Sequence, residues 1–355
     1  MINISKKGLE IILNNDSRIE SISLNSNPQI SKLLSEDLAL RNFIDSFMAF
    51  YLIGDNPYKY LNEDIRLNFP IEPIYFQWFE NLFSFWNIDM PNITYEKKDF
   101  GKIKLENQKG KDLLAFSGGK DSFFIAKNED VIPIHIQGMN PRFESRELKA
   151  VRELGKLTKN RPQIISLNNL NNIDGNNGYQ VRDGLIYVLI SMYSLIIGGK
   201  NILSGSYEED SWYCESQQSI EHLNSIFNEK GLENKIKVID KLSEEEVINE
   251  LLKTPEVFNY TTSCVISGED REYLKKKYLT EFTGIPLIND DSCGLCGKCA
   301  QINLVKMLHP IESKKLKKNA IVPLVRYYIE RYEVSDAFKV LVEADVIRKV
   351  SKRYL

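Results

Sequence analysis

The chain has no long apolar run, no excess of one charge, and little cysteine or histidine. Each shortage excludes something. Its longest uncharged stretch, Gly184–Gly199, contains an apolar run of 13 residues, Leu185–Ile197, broken by Ser191 and Ser194. That is too short for a bilayer core about 30 Å thick, so the run reads as a buried helix and no membrane is expected. Forty-six Lys and Arg face 49 Asp and Glu, for a formal charge of -3. A dedicated nucleic-acid binder carries a basic excess, so nucleic acid is not an expected partner, although a local basic groove stays open. The start, Met1–Lys7, lacks the apolar stretch and cleavage site of a signal peptide, which predicts a cytoplasmic protein. Five cysteines in a reducing compartment then point to a metal site ahead of a disulfide framework. There are only three histidines, His135, His222 and His309, and no spacing assembles them into a Ser–His–Asp arrangement.

What is present is ordinary in bulk and specific in places. Over 355 residues, 43% are hydrophobic and 27% charged, enough for a real core and about two domains. Leu33–Ile53 predicts one or two amphipathic helices. The aromatics between Tyr75 and Trp86 recur at helical spacing, which predicts core packing. Part of Pro73–Trp86 is also a candidate groove for a macromolecular partner or a homodimer contact. Glu96–Lys111 is polar and reads as a linker or exposed hairpin.

From Lys111 the pattern alternates. Strands are expected at Asp112–Phe116, Val131–Gln137, Gln163–Leu167, Asn201–Ser204 and Lys235–Asp240. Between and after them, Ser122–Lys127, Glu144–Lys159, Arg182–Ile197, Glu215–Lys230 and Ser243–Leu252 read as helices. The expected fold class is therefore α/β, a parallel sheet sandwiched by helices. Residues 1–110 are expected as a mostly helical extension and 111–257 as the α/β domain. Residues 258–355 would hold a small cysteine-bound subdomain and C-terminal helices.

The strongest local signal is Ser117-Gly118-Gly119-Lys120-Asp121-Ser122, directly after one strand and before one helix. Glycines let backbone N–H groups approach an anion, and the helix start adds about half a positive charge. Ser117 and Ser122 offer hydroxyls, Lys120 can neutralise phosphate, and Asp121 can hold Mg2+. It is not a Walker A loop, because Lys120 is followed by Asp121 and not by Ser or Thr.

A second cluster is Cys293-Gly294-Leu295-Cys296-Gly297-Lys298-Cys299, with Cys264 upstream across 28 residues. Four thiolates make a closed tetrahedral zinc set of structural type. Closing that loop costs ~3 kcal/mol, which the ~10–16 kcal/mol of structural zinc binding exceeds. An iron–sulfur cluster is the chemical rival. The basic run Lys314–Lys318 has a solvated helix face as its default, with contact to an acidic partner or nucleic acid as the alternative.

The loop resembles the SGGxDS signature of PP-loop ATP pyrophosphatases. With Ser263-Cys264 and the distal cysteines, it resembles the 7-cyano-7-deazaguanine synthase (QueC-like) family over roughly Asp112–Leu304. Gln180–Asp183 and Ser204–Asp210 are similar to further family segments. The resemblance implies ATP and Mg2+ on Ser117–Ser122, with Lys120, Asp121 and Arg182 catalytic, and Gly205 and Ser206 near the nucleotide. His135, at the end of the strand after the loop, is a candidate nucleotide contact or else a satisfied core histidine. It implies Asp210, Trp212, Tyr213 and Glu215 beside the substrate, and zinc on Cys264, Cys293, Cys296 and Cys299.

The activity implied is adenylation of a 7-carboxy-7-deazaguanine-like acid, then attack by an amine. Departures are plain: the family's substrate stretch is contracted to Trp212–Ser216, and Ile302 stands where an arginine is expected. About 110 N-terminal residues are additional, as in larger relatives found in anti-phage defence operons. Acid activation is thus implied more firmly than free nitrile synthesis, and a partner protein is an open acceptor. A nucleotide or deazaguanine sensor without turnover, or a tRNA-modifying enzyme, remain the alternatives.

Overall fold

The computed structural model describes residues 1–15, 18–24, 27–54, 57–104, 110–139, 144–169, 181–205, 213–239, 243–261, 292, 294, 296–315, 318–330 and 344–355. These fall into two compact units, one of residues 1–115, 130–144 and 162–239, the other of 116–129, 145–161 and 240–355. The strands are β1 (Ile2–Lys7), β2 (Glu10–Asn15), β3 (Arg18–Leu24), β4 (Asp64–Leu67), β5 (Asn92–Thr94), β6 (Leu113–Ala115), β7 (Ile132–Gln137), β8 (Gln163–Asn169), β9 (Ile202–Ser204) and β10 (Ile236–Val238). The helices are α1 (Pro28–Glu36), α2 (Leu38–Gly54), α3 (Pro73–Phe85), α4 (Lys120–Asn128), α5 (Glu144–Leu154), α6 (Val181–Ile197), α7 (Gln217–Glu229), α8 (Glu244–Leu251), α9 (Gly297–Leu308), α10 (Lys318–Tyr328) and α11 (Ala344–Tyr354).

The first unit is built on one sheet in the order β10-β9-β6-β7-β8-β3-β2-β1-β4-β5. From β10 to β8 every neighbour is parallel. Short runs such as Leu113–Ala115 and Ile202–Ser204 are nearly all apolar and buried, as strands covered on both faces must be. After β6 the chain builds outward to β7 and β8 on one side, then to β9 and β10 on the other. Ligand crevices in open α/β sheets form at such a reversal, outside the carboxyl ends of the strands.

The N-terminal residues depart from the expected, mostly helical extension. The expected helices exist as α1 and α2, but β1–β5 lengthen the same sheet. β3 pairs antiparallel with β8, with Leu24 opposite Leu167. Period-two burial explains the strands: Ile2, Ile4, Ile11, Leu13 and Ile22 are buried, alternating with more exposed neighbours in β1 and β2. α2 is not amphipathic, since all its residues but Leu38 and Arg41 are buried, among them those packed on α6. Core packing is the outcome for α3 as well. Tyr75, Phe76, Trp78, Phe79, Leu82 and Phe83 are buried, and Phe79 stacks on Phe50 at 4.6 Å. They do not line an open groove. The segment expected as a linker is pinned at Phe100, Ile103 and Lys104, whose N–H groups donate to Glu72, Lys230 and Asp37.

The second unit is helical in its described residues. α4 packs on α8, and Lys127 donates to Thr254 Oγ1 at 2.7 Å. α8 starts with a capping box between Ser243 and Glu246, the arrangement that satisfies the first N–H groups of a helix. α9 packs on α8 and α11. Most of the expected cysteine subdomain, 262–291 with 293 and 295, lies outside the described residues. Among the described residues no helix is long and apolar enough to cross a membrane.

Candidate functional site

The glycine-rich loop forms where the spacing predicts it. β6 ends at Ala115, and α4 begins at Lys120 with Gly119 as its N-cap. Gly118 has φ +77, a left-handed conformation costly for any residue with a Cβ. It also passes close to α5, because a Cβ at 118 would stand 2.8 Å from Ala150 Cβ. Ser117 Oγ accepts from the Gly119 N–H at 3.4 Å, and Ser122 Oγ donates to the Gly119 carbonyl at 3.4 Å. α4 has no side-chain cap. A helix start without a cap, at the end of a glycine turn, is a ready anion site.

The Lys120 side chain is fully buried, and its ammonium meets Asp121 Oδ1 at 2.7 Å, while Asp121 keeps a quarter of its side chain exposed. The lysine charge is thus paired with the neighbouring carboxylate. Asp121, in the first turn of α4, is the acidic group the loop presents to solvent.

The remaining nucleotide candidates belong to the first unit. Arg182, at the start of α6, is a third exposed and its Nε lies 3.1 Å from Asp183 Oδ1. His135 is buried within β7, opposite Ile164. At the end of β9, Ser204 Oγ accepts from Tyr187 Oη at 2.9 Å, and Gly205 follows. Ser206, Asp210 and Trp212 lie outside the described residues, as does the Glu215 side chain.

Tyr213 is buried, and its phenol donates to the Trp78 carbonyl at 3.1 Å. Its ring packs against Trp78 and Phe85, with centroids 5.7 and 5.4 Å apart. Burial pushes its phenol above the ordinary tyrosine range. Tyr213 therefore holds the turn Tyr213–Glu215 against α3. Trp78 in turn donates from Nε1 to Ser219 Oγ at 3.1 Å. Sequence reasoning placed Trp78 in a packed aromatic helix but missed Tyr187 and Ser219, which no local signal marks, because their partners are remote in the chain.

Of the expected metal ligands, Cys264 and Cys293 lie outside the described residues. Cys296 is the N-cap of α9 and Cys299 stands in its first turn, both buried. That i, i+3 relation puts the two thiols on one side of the helix start. Gly294 has φ +72, the bend a metal knuckle needs between its cysteines. Its carbonyl accepts from Tyr328 Oη, which accepts in turn from Asn303 Nδ2 at 3.0 Å. The donor set suits zinc at two corners of a tetrahedron. Among the described residues no group of three or more potential metal ligands comes together. No family model, curated protein or solved structure matches the chain.

Proposed function

We propose that the chain is a QueC-like enzyme that activates a carboxylic acid with ATP. The carboxylate of a 7-deazaguanine acid, such as 7-carboxy-7-deazaguanine, attacks the α-phosphorus, and pyrophosphate leaves with the oxygen that bridged it. An amine then attacks the acyl carbon of the adenylate. AMP leaves with the electron pair of the C–O bond, and the amine loses a proton to solvent. Ammonia as the amine leads to the amide and, with a second ATP, the nitrile. The N-terminus of a partner protein leads to a conjugate, in the setting of anti-phage defence.

One observation carries this reading: the left-handed Gly118 and the uncapped start of α4 follow directly on β6, the strand at which the sheet order reverses. Backbone N–H groups and the helix dipole favour the charge that builds on departing pyrophosphate. Ser117 and Ser122 add hydroxyls to that cradle. Asp121 would hold a magnesium ion, which supplies neutralisation of phosphate charge when bound. Lys120 orients Asp121 through their ion pair. The roles of Arg182, Gly205, Ser206, Asp210, Trp212 and Glu215 rest on the resemblance alone, and that of His135 on its place in the strand after the loop. Cys264, Cys293, Cys296 and Cys299 would hold one structural zinc that orders the segment before α9.

The test is turnover. Full-length protein, ATP, Mg2+, 7-carboxy-7-deazaguanine and ammonia should release AMP and pyrophosphate in equal amounts. Asp121→Ala should abolish release in protein that still folds, at a lowered unfolding midpoint, because the buried Lys120 ammonium loses its carboxylate. ATP binding without release would make the chain a sensor, and unchanged release by the variant would remove the loop from the reaction.

A further inference from the structure

The C-terminal helices carry positive charge that neither the loop nor the cysteine segment uses. Residues 296–355 hold 13 Lys and Arg against six Asp and Glu, in a chain whose formal charge is -3. The overall balance conceals this local excess.

α11 sorts its residues onto two stripes. Val346, Ile347 and Val350 are buried, and Tyr354 donates to the Met307 carbonyl at 2.7 Å, so one stripe packs on α9. Arg348, Lys349, Lys352 and Arg353 are all exposed and form two i, i+4 columns on the other stripe, with Cβ atoms about 5–6 Å apart within each column. Arg353 joins this stripe to the turn after α9. Its guanidinium donates to the Leu308 carbonyl at 2.9 Å and to Ser313 Oγ at 3.4 Å. Lys314 and Lys315, both exposed, follow Ser313 directly.

Lys349 pairs with Glu245 at 3.2 Å and Lys315 with Glu312 at 2.5 Å. Lys314 and Lys352 make no ion pair among the described residues. Lys306, beneath this turn on α9, stands over the Phe258 ring at 5.0 Å. Burial, and then the adjacent Lys315, push its amine below the ordinary lysine range against the pull of Glu312.

We propose that the exposed stripe of α11, with Lys314 and Lys315, is a docking surface for the phosphate backbone of a nucleic acid. A row of cations repeating along a helix suits a chain of phosphates better than one phosphate. A membrane is disfavoured because the apolar stripe of α11 is packed on α9 and is not offered for insertion. A protein partner is disfavoured because, among the described residues, the surface carries no exposed aromatic of the kind that anchors protein interfaces. Among the described residues of this region, Ile311 and Leu355 are the large exposed hydrophobics. The inference goes beyond acid activation and stands independently of the loop.

Salt dependence tests it. Six cations on a single strand predict that raising salt from 50 to 200 mM weakens binding by roughly three-hundredfold. Fluorescence anisotropy of full-length protein with a labelled 20-nucleotide RNA reads this directly. The triple variant Lys314→Gln/Lys349→Gln/Lys352→Gln should halve the salt slope and keep its unfolding midpoint. A control triple at exposed lysines elsewhere, Lys97→Gln/Lys235→Gln/Lys237→Gln, should bind as the unaltered protein does. No RNA binding at 50 mM salt, or equal loss in the two triples, overturns the proposal. So does equal or tighter binding to a poly-aspartate peptide or to phosphatidylserine vesicles.

Discussion

Replacing Gly118 with alanine perturbs the loop in two separable ways. At φ +77 an added Cβ costs about 1–2 kcal/mol through its clash with the following carbonyl. The same Cβ would stand 2.8 Å from Ala150 Cβ and 3.2 Å from the Val151 nitrogen, inside the 3.5–4.0 Å optimum for carbon contacts. Overpacking of that kind costs about 1–3 kcal/mol, so Gly118→Ala should destabilise by about 2–5 kcal/mol. Ala150→Gly removes the steric partner at about 1 kcal/mol of helix propensity. The double variant should therefore recover the contact part and retain the φ part. Urea unfolding of the four proteins gives the coupling as a double-mutant cycle. ATP affinity, measured alongside, should fall in Gly118→Ala and return only in part. A Gly118→Ala protein of full stability and full ATP affinity would refute the argument. Zero coupling would show that the loop does not rest on α5.

Two further outcomes follow from buried charge. Lys230 and Glu72 form an ion pair with both side chains almost fully buried, so Glu72→Gln should cost up to about 3–5 kcal/mol by removing the buried counter-charge, less what the Gly101 carbonyl at 3.0 Å and Asp99 at 3.8 Å still supply to the ammonium. Glu72→Gln/Lys230→Met should cost less than that single change in urea unfolding, and a larger cost would contradict the account. His222, half-buried beside Asn81 Nδ2 at 3.2 Å, has its pKa lowered by burial. The unfolded chain, with an ordinary histidine pKa of about 6.5, then binds the proton more readily. Its contribution should be complete above pH 6.5 and be lost as pH falls below that value. Thermal midpoints between pH 7 and 5 should fall less steeply in His222→Gln, and parallel curves would exclude the effect.

The amino-acid sequence by itself determined the local pieces. Ser117–Ser122 sits between a strand and a helix because apolar Leu113 and Leu114, two glycines and a following helix former leave little other choice. The alternating strands and helices from 131 to 251 lie within a few residues of the expected bounds, except α5, which stops at Leu154. Each is set by period, by glycine or by a cap such as Ser243 with Glu246. Tertiary structure decided the rest, because the deciding partner is far away in the chain. Ile2 and Ile4 show period two, yet nothing local says that β3 will pair with β8 and lengthen the sheet. Tyr213 reads as a substrate contact until Trp78, 135 residues earlier, closes over it. Lys120 reads as a phosphate contact, and only the fold shows its ammonium buried beside Asp121. The basic residues of α11 became one surface only when its apolar stripe packed on α9 and Arg353 reached Ser313. Patterns of period and turn act over a few residues, whereas burial and pairing are properties of the folded chain.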